Sequence, residues 1–343
     1  MVQERADRGM INQTVKRINY ASIETRYQEL TKNLGPRRSE GFTLPTEETL
    51  AQLGETIERG PQFVATPFPL LNQSCRGLAA GKGLQPGSVY FVGGGPGVGK
   101  SLFASPLVNH STRKGVPTCV INLEMGWEET MLRYIAQDTN TPVLRLEPGE
   151  HFDRKTFDEA AQKYIGQRKA GLYMNESPEP FSGKEIAKII TVLALDQSVK
   201  LFVIDFVQRI RVKGGANRRD AVESVSRSLD SLAKHLNVVI LALSQLTRSA
   251  AEQDERTPKA SDLQWSSALE QDARMVLILD HTRIEHNVKE NWKRWAVVIA
   301  KNRSGYSREI LMEHNLTTLS TSELNDQDGW TFDHNMKKWS DWP

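Results

Sequence analysis

The chain has 343 residues, of which 38% are hydrophobic and 25% are charged, a composition typical of a globular protein with a full apolar core. Lys and Arg total 44 against 42 Asp and Glu. The net charge of +2 excludes a uniformly basic, histone-like protein, but it leaves room for a local basic site that binds nucleic acid. Only Cys75 and Cys119 are present, so a disulfide framework is excluded, and a cytoplasmic location is expected. No apolar run reaches the roughly 20 residues of a membrane span, so we expect no membrane contact.

The N-terminal segment, residues 1–61, is polar, charge-balanced and compatible with helices. One helix is predicted around residues 13–33 and another after Pro45, with a breaker-rich link over residues 35–41 between them. We expect this segment to be a helical N-terminal extension and linker, and residues 62–343 to form one large domain.

From residue 62 onward, short apolar runs alternate with amphipathic stretches. Several runs are rich in Val and Ile without polar alternation, as expected of strands buried on both faces. One helix is especially clear, because its apolar residues recur at spacings of 3 and 4 and Asn237 follows as a stop signal. Its apolar residues are Val222, Val225, Leu229, Leu232 and Leu236. Strands alternating with helices predict an α/β domain on a mainly parallel sheet. The predicted strands are 88–93, 118–123, 171–175, 201–204, 238–243, 275–279 and 295–300.

A phosphate-binding pattern, G-x-x-x-x-G-K-[ST], is matched completely by residues 94–101. It follows a predicted strand and precedes a helix-compatible run, which is the context that the pattern requires. Its glycines let backbone N–H groups close around phosphates, Lys100 reaches the β- and γ-oxygens, and Ser101 ligates Mg²⁺. We therefore predict a P-loop that binds ATP with Mg²⁺. Its residues are Gly94, Gly95, Pro96, Gly97, Val98, Gly99, Lys100 and Ser101.

Two acidic residues that follow predicted strands are candidates for the chemistry beside this loop. Asp205 ends the strand over residues 201–204, which suits an aspartate that supports Mg²⁺. Phe206 follows it, so the adjacent acidic pair of many P-loop ATPases is missing, and a base must come from elsewhere. Glu124, which follows the next strand after the P-loop, is the best candidate because neighbouring parallel strands end at the same sheet edge. The alternative is that Glu124 only caps the next helix.

Five further sequence blocks occur in a fixed order. They are Asn-Leu-Glu-Met at 122–125, Val-Ile-Asp-Phe-Val-Gln at 203–208, Ala-Leu-Ser-Gln-Leu-Thr-Arg at 242–248, Ser-Asp-Leu with Glu-Gln-Asp-Ala at 261–263 and 270–273, and Ala-Lys-Asn-Arg-Ser-Gly at 300–305. Together they resemble the ATPase domain of DnaB-type replicative helicases, over roughly residues 65–310. The resemblance implies a RecA-like P-loop ATPase core. It also implies an ATP-dependent, ring-forming DNA helicase that translocates 5′ to 3′ on single-stranded DNA in replication.

The resemblance gives roles to three more side chains. Gln245, just after the strand 238–243, would sense the γ-phosphate; the alternative is an exposed polar residue that starts a loop. Lys301 and Arg303 lie two apart on a predicted strand, so both side chains point to one face. By resemblance they reach the γ-phosphate of a neighbouring subunit, which requires a homo-oligomeric ring, expected to be a hexamer. The alternative is a solvated strand end.

Residues 209–219 form a basic run that contains no acidic residue. The run begins four residues after Asp205 and has a Gly-Gly pair at its centre. Its position predicts a flexible loop that grips a DNA backbone as the nucleotide state changes, although most charge runs are only solvated faces. By resemblance residues 261–272 form a second pore loop, in which Trp265 stacks on a base or packs internally. The predicted DNA contacts are Arg209, Arg211, Lys213, Arg218, Arg219 and Trp265.

The short N-terminal segment departs from the resemblance, in which a helical domain that meets primase precedes a linker helix. Primase binding is therefore left open, and a helicase loader is a further candidate partner. The chain looks like a compact member that a phage or plasmid encodes, acting in the host cytoplasm. Two other functions stay open: a RecA-like recombinase or mediator that forms filaments on DNA, and a non-translocating ATP switch that loads or inhibits a host helicase.

Overall fold

A computed structural model of the chain describes residues 15–33, 63–75, 83–176, 180–212, 218–251, 256–264, 266–286, 291–303, 305, 307–324, 330–333 and 338–341. The helices are α1 (Tyr20–Asn33), α2 (Pro69–Ser74), α3 (Lys100–Arg113), α4 (Trp127–Thr139), α5 (Arg154–Gly166), α6 (Gly183–Asp196), α7 (Arg218–Leu236), α8 (Arg248–Ala251) and α9 (Ser266–Asp272). The strands are β1 (Val15–Ile18), β2 (Ser88–Gly94), β3 (Thr118–Asn122), β4 (Leu172–Asn175), β5 (Leu201–Asp205), β6 (Val239–Gln245), β7 (Met275–His286), β8 (Trp292–Asn302), β9 (Glu309–Asn315), β10 (Thr321–Glu323), β11 (Trp330–Asp333) and β12 (Lys338–Asp341).

Most of the described strands belong to one sheet, in the order β1-β4-β3-β5-β6-β2-β7-β8-β9-β10. Neighbours from β1 to β7 run parallel, whereas β8, β9 and β10 each run antiparallel to the strand before. The predicted α/β fold on a mainly parallel sheet is therefore confirmed. Strands β11 and β12 pair separately, as an antiparallel ribbon.

Helices cover both faces of the central strands, which explains why these strands lack polar alternation. All residues of β2, β3 and β5 are buried. Along β2, Val89 and Phe91 face one apolar core while Tyr90 and Val92 face the other, as the two-residue period of a strand requires. The first core is shared with α6 and α7, and the second with α3, α4 and α5. Of the described helices, none is long and apolar enough to cross a membrane.

The clearest predicted helix is confirmed as α7. Val222, Val225 and Leu229 are buried on its inner face, and Leu232 and Leu236 pack at the margin of the same core. Asn237 follows with a φ of 51°, the left-handed conformation that often ends a helix.

Part of the N-terminal segment, residues 15–18, joins the main sheet, which the sequence did not predict. The helix expected from residue 13 begins at Tyr20 instead, because residues 15–18 form the edge strand β1, parallel to β4. Pairing with β4 buries both ends of β1 while its two central residues stay exposed, so tertiary contacts outweigh local helix propensity. Helix α1 then packs on α6 through the buried Ile23. The helix predicted after Pro45 lies outside the described residues, and the domain boundary between residues 61 and 62 stays a prediction.

The sheet register brings several predicted site residues to one edge. Asn122 at the end of β3 is level with Asp205 at the end of β5, and Gly94 at the end of β2 is level with Gln245 at the end of β6. Because these strands are parallel, the loops that follow them open on the same side of the molecule.

Candidate active site

The predicted P-loop connects the end of β2 to the start of α3. Gly97 and Gly99 have φ values of 70° and 110°, a left-handed conformation that glycine adopts without steric cost. Gly99 occupies the N-cap of α3 without a side-chain cap, so the first N–H groups of the helix point into the loop. This geometry provides backbone donors and the positive end of a helix dipole for an anion.

The side chain of Lys100 lies back over this loop and is buried. Its Nζ donates hydrogen bonds to the carbonyl oxygens of Gly94, at 3.0 Å, and Gly95, at 2.9 Å. Burial lowers the pKa of Lys100, while the carboxylates of Asp205 and Glu124 act in the opposite direction. The ammonium group is thus held where phosphate oxygens would replace the two carbonyls as its acceptors.

Ser101 and Asp205, the predicted oxygen ligands of Mg²⁺, are hydrogen-bonded to each other. The Ser101 hydroxyl donates to Asp205 Oδ2 at 2.5 Å, and Asp205 is only 6% exposed. Burial raises the pKa of Asp205 to about 6, although the hydrogen bond from Ser101 lowers it. A hydroxyl and a carboxylate fit Mg²⁺, which prefers few protein oxygens and takes its other ligands from phosphates and water. Among the described residues no group of three or more His, Cys, Asp or Glu could hold a metal ion by itself.

Glu124 stands at the same edge, two residues beyond the end of β3. The N–H of Leu123 donates to the carbonyl oxygen of Asp205 at 2.7 Å, so the turn that carries Glu124 is attached to the strand of the predicted metal ligand. The capping alternative does not hold, because the N-cap of α4 is Gly126 and not Glu124. The Glu124 carboxylate is half exposed and lies 3.9 Å from Arg209. Its role as the base stays a prediction.

Gln245 ends β6 directly beside Gly94 of the P-loop and is half buried. Its N–H donates to Gln208 Oε1 at 3.2 Å, and its carbonyl oxygen accepts from the N–H of Gln264 at 2.9 Å. Gln245 therefore connects the phosphate loop with the segment predicted as the second pore loop. That segment is also bound two residues beyond β6, where the Thr247 N–H donates to the Asp262 carbonyl oxygen at 2.8 Å.

The predicted finger residues Lys301 and Arg303 lie away from the P-loop of their own chain, from the middle of β2 toward its amino-terminal end. Lys301 is level with Val276, which pairs with Phe91 of β2, and Arg303 lies two residues further away. Phe91 precedes Gly94 by three residues, a separation of roughly 10 Å along a strand. Within the chain both cations contact the C-terminal end of α9, and their role toward a neighbouring subunit stays a prediction. Lys301 donates to the Glu270 carbonyl oxygen and Arg303 to that of Gln271.

The predicted DNA contacts divide into two groups. Arg209 ends a 3-10 turn over Val207–Arg209 and faces Glu124, whereas Arg211 donates to both carboxylate oxygens of Glu185, at 2.6 and 2.7 Å. The run without acidic residues is therefore neutralised in space at these two positions. The remaining predictions are not described at the side-chain level: Arg218 and Arg219 begin α7, and Lys213 and Trp265 lie outside the described residues.

Two buried residues support the site without having been predicted. Gln208, three residues after Asp205, accepts the Gln245 N–H and donates to the Ser244 hydroxyl at 2.7 Å. Trp295 of β8 is fully buried, and its ring lies about 3.5 Å from where a β-carbon on Gly99 would be. Gln208 belongs to the block at 203–208, but its contacts are with the end of β6, and Trp295 contacts the P-loop; neither contact has a local signal, because the partners are distant in sequence.

Comparison with known proteins agrees with this geometry. The sequence profile of the family described as DnaB-like helicase C terminal domain matches residues 68–321. A replicative DNA helicase DnaB of Pasteurella multocida (strain Pm70) is 28% identical over 279 residues, which make up 80% of this chain and 58% of that protein. The chain thus spans less than two thirds of the length of this relative.

Solved structures show the same fold. A structure described as a DnaB-like replicative helicase and its interactions with primase superposes with a TM-score of 0.66 at 21% identity, over 89% of this chain and 76% of that one. Another structure, described as an ATPase domain, gives a TM-score of 0.67 at 21% identity, over 83% of this chain and 100% of that domain. The predicted RecA-like ATPase core is therefore confirmed as a fold.

Proposed function

Because the chain belongs to the family described as DnaB-like helicase C terminal domain, we propose that it is an ATP-driven DNA helicase whose copies form a ring, expected to be a hexamer, on single-stranded DNA. One observation carries the proposal. The P-loop, the Ser101–Asp205 pair, Glu124 and Gln245 meet at one sheet edge, while Lys301 and Arg303 lie away from that edge, level with the middle of β2 and beyond it toward the amino-terminal end. A site so divided is completed by a second copy of the chain.

Nucleotide binding is assigned to the P-loop. The first N–H groups of α3 and the ammonium of Lys100 bind the phosphates of ATP, and the ammonium exchanges its two carbonyl acceptors for phosphate oxygens. Ser101 and Asp205 hold Mg²⁺, which when bound neutralises charge on the β- and γ-phosphates. Because Asp205 must be ionised for this role, its raised pKa makes the metal compete with a proton.

Glu124 is the proposed general base. Its half-exposed carboxylate stands at the end of the strand next to that of Asp205, where it can accept a proton from an attacking water. Gln245 contacts the γ-phosphate. Its main-chain hydrogen bond with Gln264 couples this contact to the proposed second pore loop. Lys301 and Arg303 stabilise transition-state charge in the site of the neighbouring copy.

DNA contact is assigned to the segment after β5. Arg209 is close enough to Glu124 for a DNA phosphate and the base to compete for one guanidinium group. Arg211 must first leave Glu185. Movement 5′ to 3′ is part of the proposal, and the further partners are a helicase loader and primase, with which one structurally similar helicase is described. The expected place of action is the cytoplasm.

Strand displacement on a forked substrate, measured together with ATP hydrolysis, tests this function. We expect hydrolysis that single-stranded DNA stimulates and unwinding that requires ATP, with both lost in Lys100→Ala. Electron micrographs with an ATP analogue and single-stranded DNA should show closed rings. Open filaments would favour a recombinase or mediator, and binding to a host helicase without intrinsic unwinding would favour a non-translocating switch. Hydrolysis by a monomer that ignores DNA would contradict the proposal.

A further inference from the structure

One buried asparagine holds the turn that carries Glu124. Asn122 ends β3 and is 3% exposed. Its Oδ1 accepts two backbone hydrogen bonds, from the N–H of Glu124 at 3.1 Å and from that of Met125 at 2.9 Å. Its Nδ2 donates to the Thr130 hydroxyl at 2.7 Å, and this hydroxyl donates to the Gly126 carbonyl oxygen at 2.9 Å. The turn is thus fixed to the strand before it and to the helix after it.

A second buried asparagine fixes the main chain of the first. Backbone pairing of β3 with β4 ends at Val120 and Met174. Beyond it, Asn175 Oδ1 accepts the Asn122 N–H at 2.7 Å, and Asn175 Nδ2 donates to the Asn122 carbonyl oxygen at 2.6 Å. The side-chain amide takes the place of a backbone peptide group and extends the ladder to the last residue of β3.

The opposite side of the turn is attached to the metal ligand, since the Leu123 N–H donates to the Asp205 carbonyl oxygen. Three hydrogen-bonded connections therefore set the position of the Glu124 backbone relative to Asp205. The Glu124 carboxylate is half exposed, and its ion pair with Arg209 is long, at 3.9 Å. Its position consequently depends on the backbone of the turn far more than on contacts of its own.

Buried amides of this kind are costly unless they are paired, so their placement is informative. Both side chains are directed at the turn and at the end of β3 rather than into the apolar cores on the two sheet faces. We infer that Asn122 and Asn175 are positioning residues, which hold the turn so that the Glu124 carboxylate meets the attacking water. The inference rests on the proposed function, in which Glu124 is the base.

Full-length variants test the inference by steady-state and single-turnover ATP hydrolysis. We expect Asn122→Ala to lower kcat on the order of 10- to 100-fold, because a base displaced by about 1 Å loses a comparable factor. KM for ATP should stay nearly unchanged, because the P-loop contacts are elsewhere. Asn175→Ala should lower kcat in the same direction. Asn122→Ser should recover most of the rate, since a serine hydroxyl can still accept a hydrogen bond from the turn.

A matched control separates positioning from general loss of stability. Asn109 of α3 is equally buried, and it donates to the Tyr134 carbonyl oxygen and to Gln137 rather than to the turn that carries Glu124. Asn109→Ala should reduce the thermal midpoint without the loss in kcat. If Asn122→Ala does not fold, the kcat values of Asn122→Ser and Asn175→Ala are compared with that of Asn109→Ala instead.

The double variant Asn122→Ala with Glu124→Gln should hydrolyse ATP no more slowly than Glu124→Gln alone, because the asparagine acts only through the base. Additive losses would overturn the inference, as would a kcat for Asn122→Ala and Asn175→Ala no lower than that of Asn109→Ala. Full hydrolysis by Glu124→Gln would instead overturn the assignment of the base itself, and with it the proposed mechanism.

Discussion

Burial shifts the pKa values of two charged residues at the candidate site, Asp205 and Lys100. It raises the pKa of Asp205 to about 6 and lowers the pKa of Lys100, so each group is held less firmly in its charged form than it would be in water. In the proposed mechanism both groups must be charged, Asp205 to hold Mg²⁺ and Lys100 to bind phosphate. At neutral pH the burial of these charged groups therefore lowers the folding stability of the chain. A bound cation would favour the ionised form of Asp205.

Asp205 makes the stability of the chain depend on pH in a defined direction. Its folded-state pKa of about 6 lies above the usual 3.8, so the folded state binds this proton more tightly than the unfolded chain does. The resulting stabilisation is complete below the usual pKa and is lost as the pH rises through about 6. Asp205→Asn removes this term.

Urea unfolding without Mg²⁺ or nucleotide measures the effect. From about pH 4.5 to about pH 7.5, the wild-type free energy of unfolding should fall relative to that of Asp205→Asn by about 2 kcal/mol. Asp158→Asn, on the exposed side of α5, is the control and should run parallel to the wild type. A constant difference between wild type and Asp205→Asn would show that Asp205 has an ordinary pKa.

At the scale of elements, the segment that follows β5 connects the nucleotide site to the proposed DNA contacts. Arg209 faces Glu124, and Arg211 is held by Glu185, the N3 residue of α6. Glu185 also accepts the Ser182 N–H at 2.6 Å and thereby completes the capping box of α6. A glutamine can keep that cap while it removes the charge that holds Arg211.

We therefore expect Glu185→Gln to strengthen binding to single-stranded DNA by a few fold, because it releases a cation for the phosphate backbone. The dependence of log affinity on log salt should steepen by about 0.7, the contribution of one additional phosphate contact. Fluorescence anisotropy over a salt series provides both values. Asp158→Asn makes the same change in net charge away from this segment and should leave both unchanged. If Glu185→Gln binds like the wild type, Arg211 is not a DNA contact.

The sequence predicts those parts of the site that have a local pattern. The P-loop, the buried strands and Asp205 at a strand end follow from spacing and composition, and the helix α7 follows from its period. Asn175 could not be found in this way, because its role depends on the register of β3 against β4. The same holds for the ion pair of Arg211 with Glu185 and for Trp295 behind Gly99. The strand β1 was missed because pairing with β4 outweighs its helix-compatible sequence.

At the scale of the whole molecule, the sheet separates the two groups of residues in the proposed site. The P-loop, Asp205, Glu124 and Gln245 occupy the carboxyl-terminal edge of the central strands, whereas Lys301 and Arg303 lie away from it, from the middle of β2 toward its amino-terminal end. Within one chain these cations contact the end of α9. Copies arranged head to tail would bring the cations of one to the phosphates of the next, and a closed arrangement of this kind is a ring.

Mixing two inactive variants is the most direct test of this central claim. Lys100→Ala loses the phosphate site of its own subunit, and Arg303→Ala loses the cation that its subunit contributes to the neighbour. Each variant alone should hydrolyse ATP at least tenfold more slowly than the wild type with single-stranded DNA present. After subunit exchange at equal amounts, about a quarter of the interfaces should join an intact P-loop to an intact Arg303, and hydrolysis should recover to a corresponding fraction. Arg303→Ala at the wild-type rate, or a mixture of exchanged subunits no more active than its components, would contradict the account.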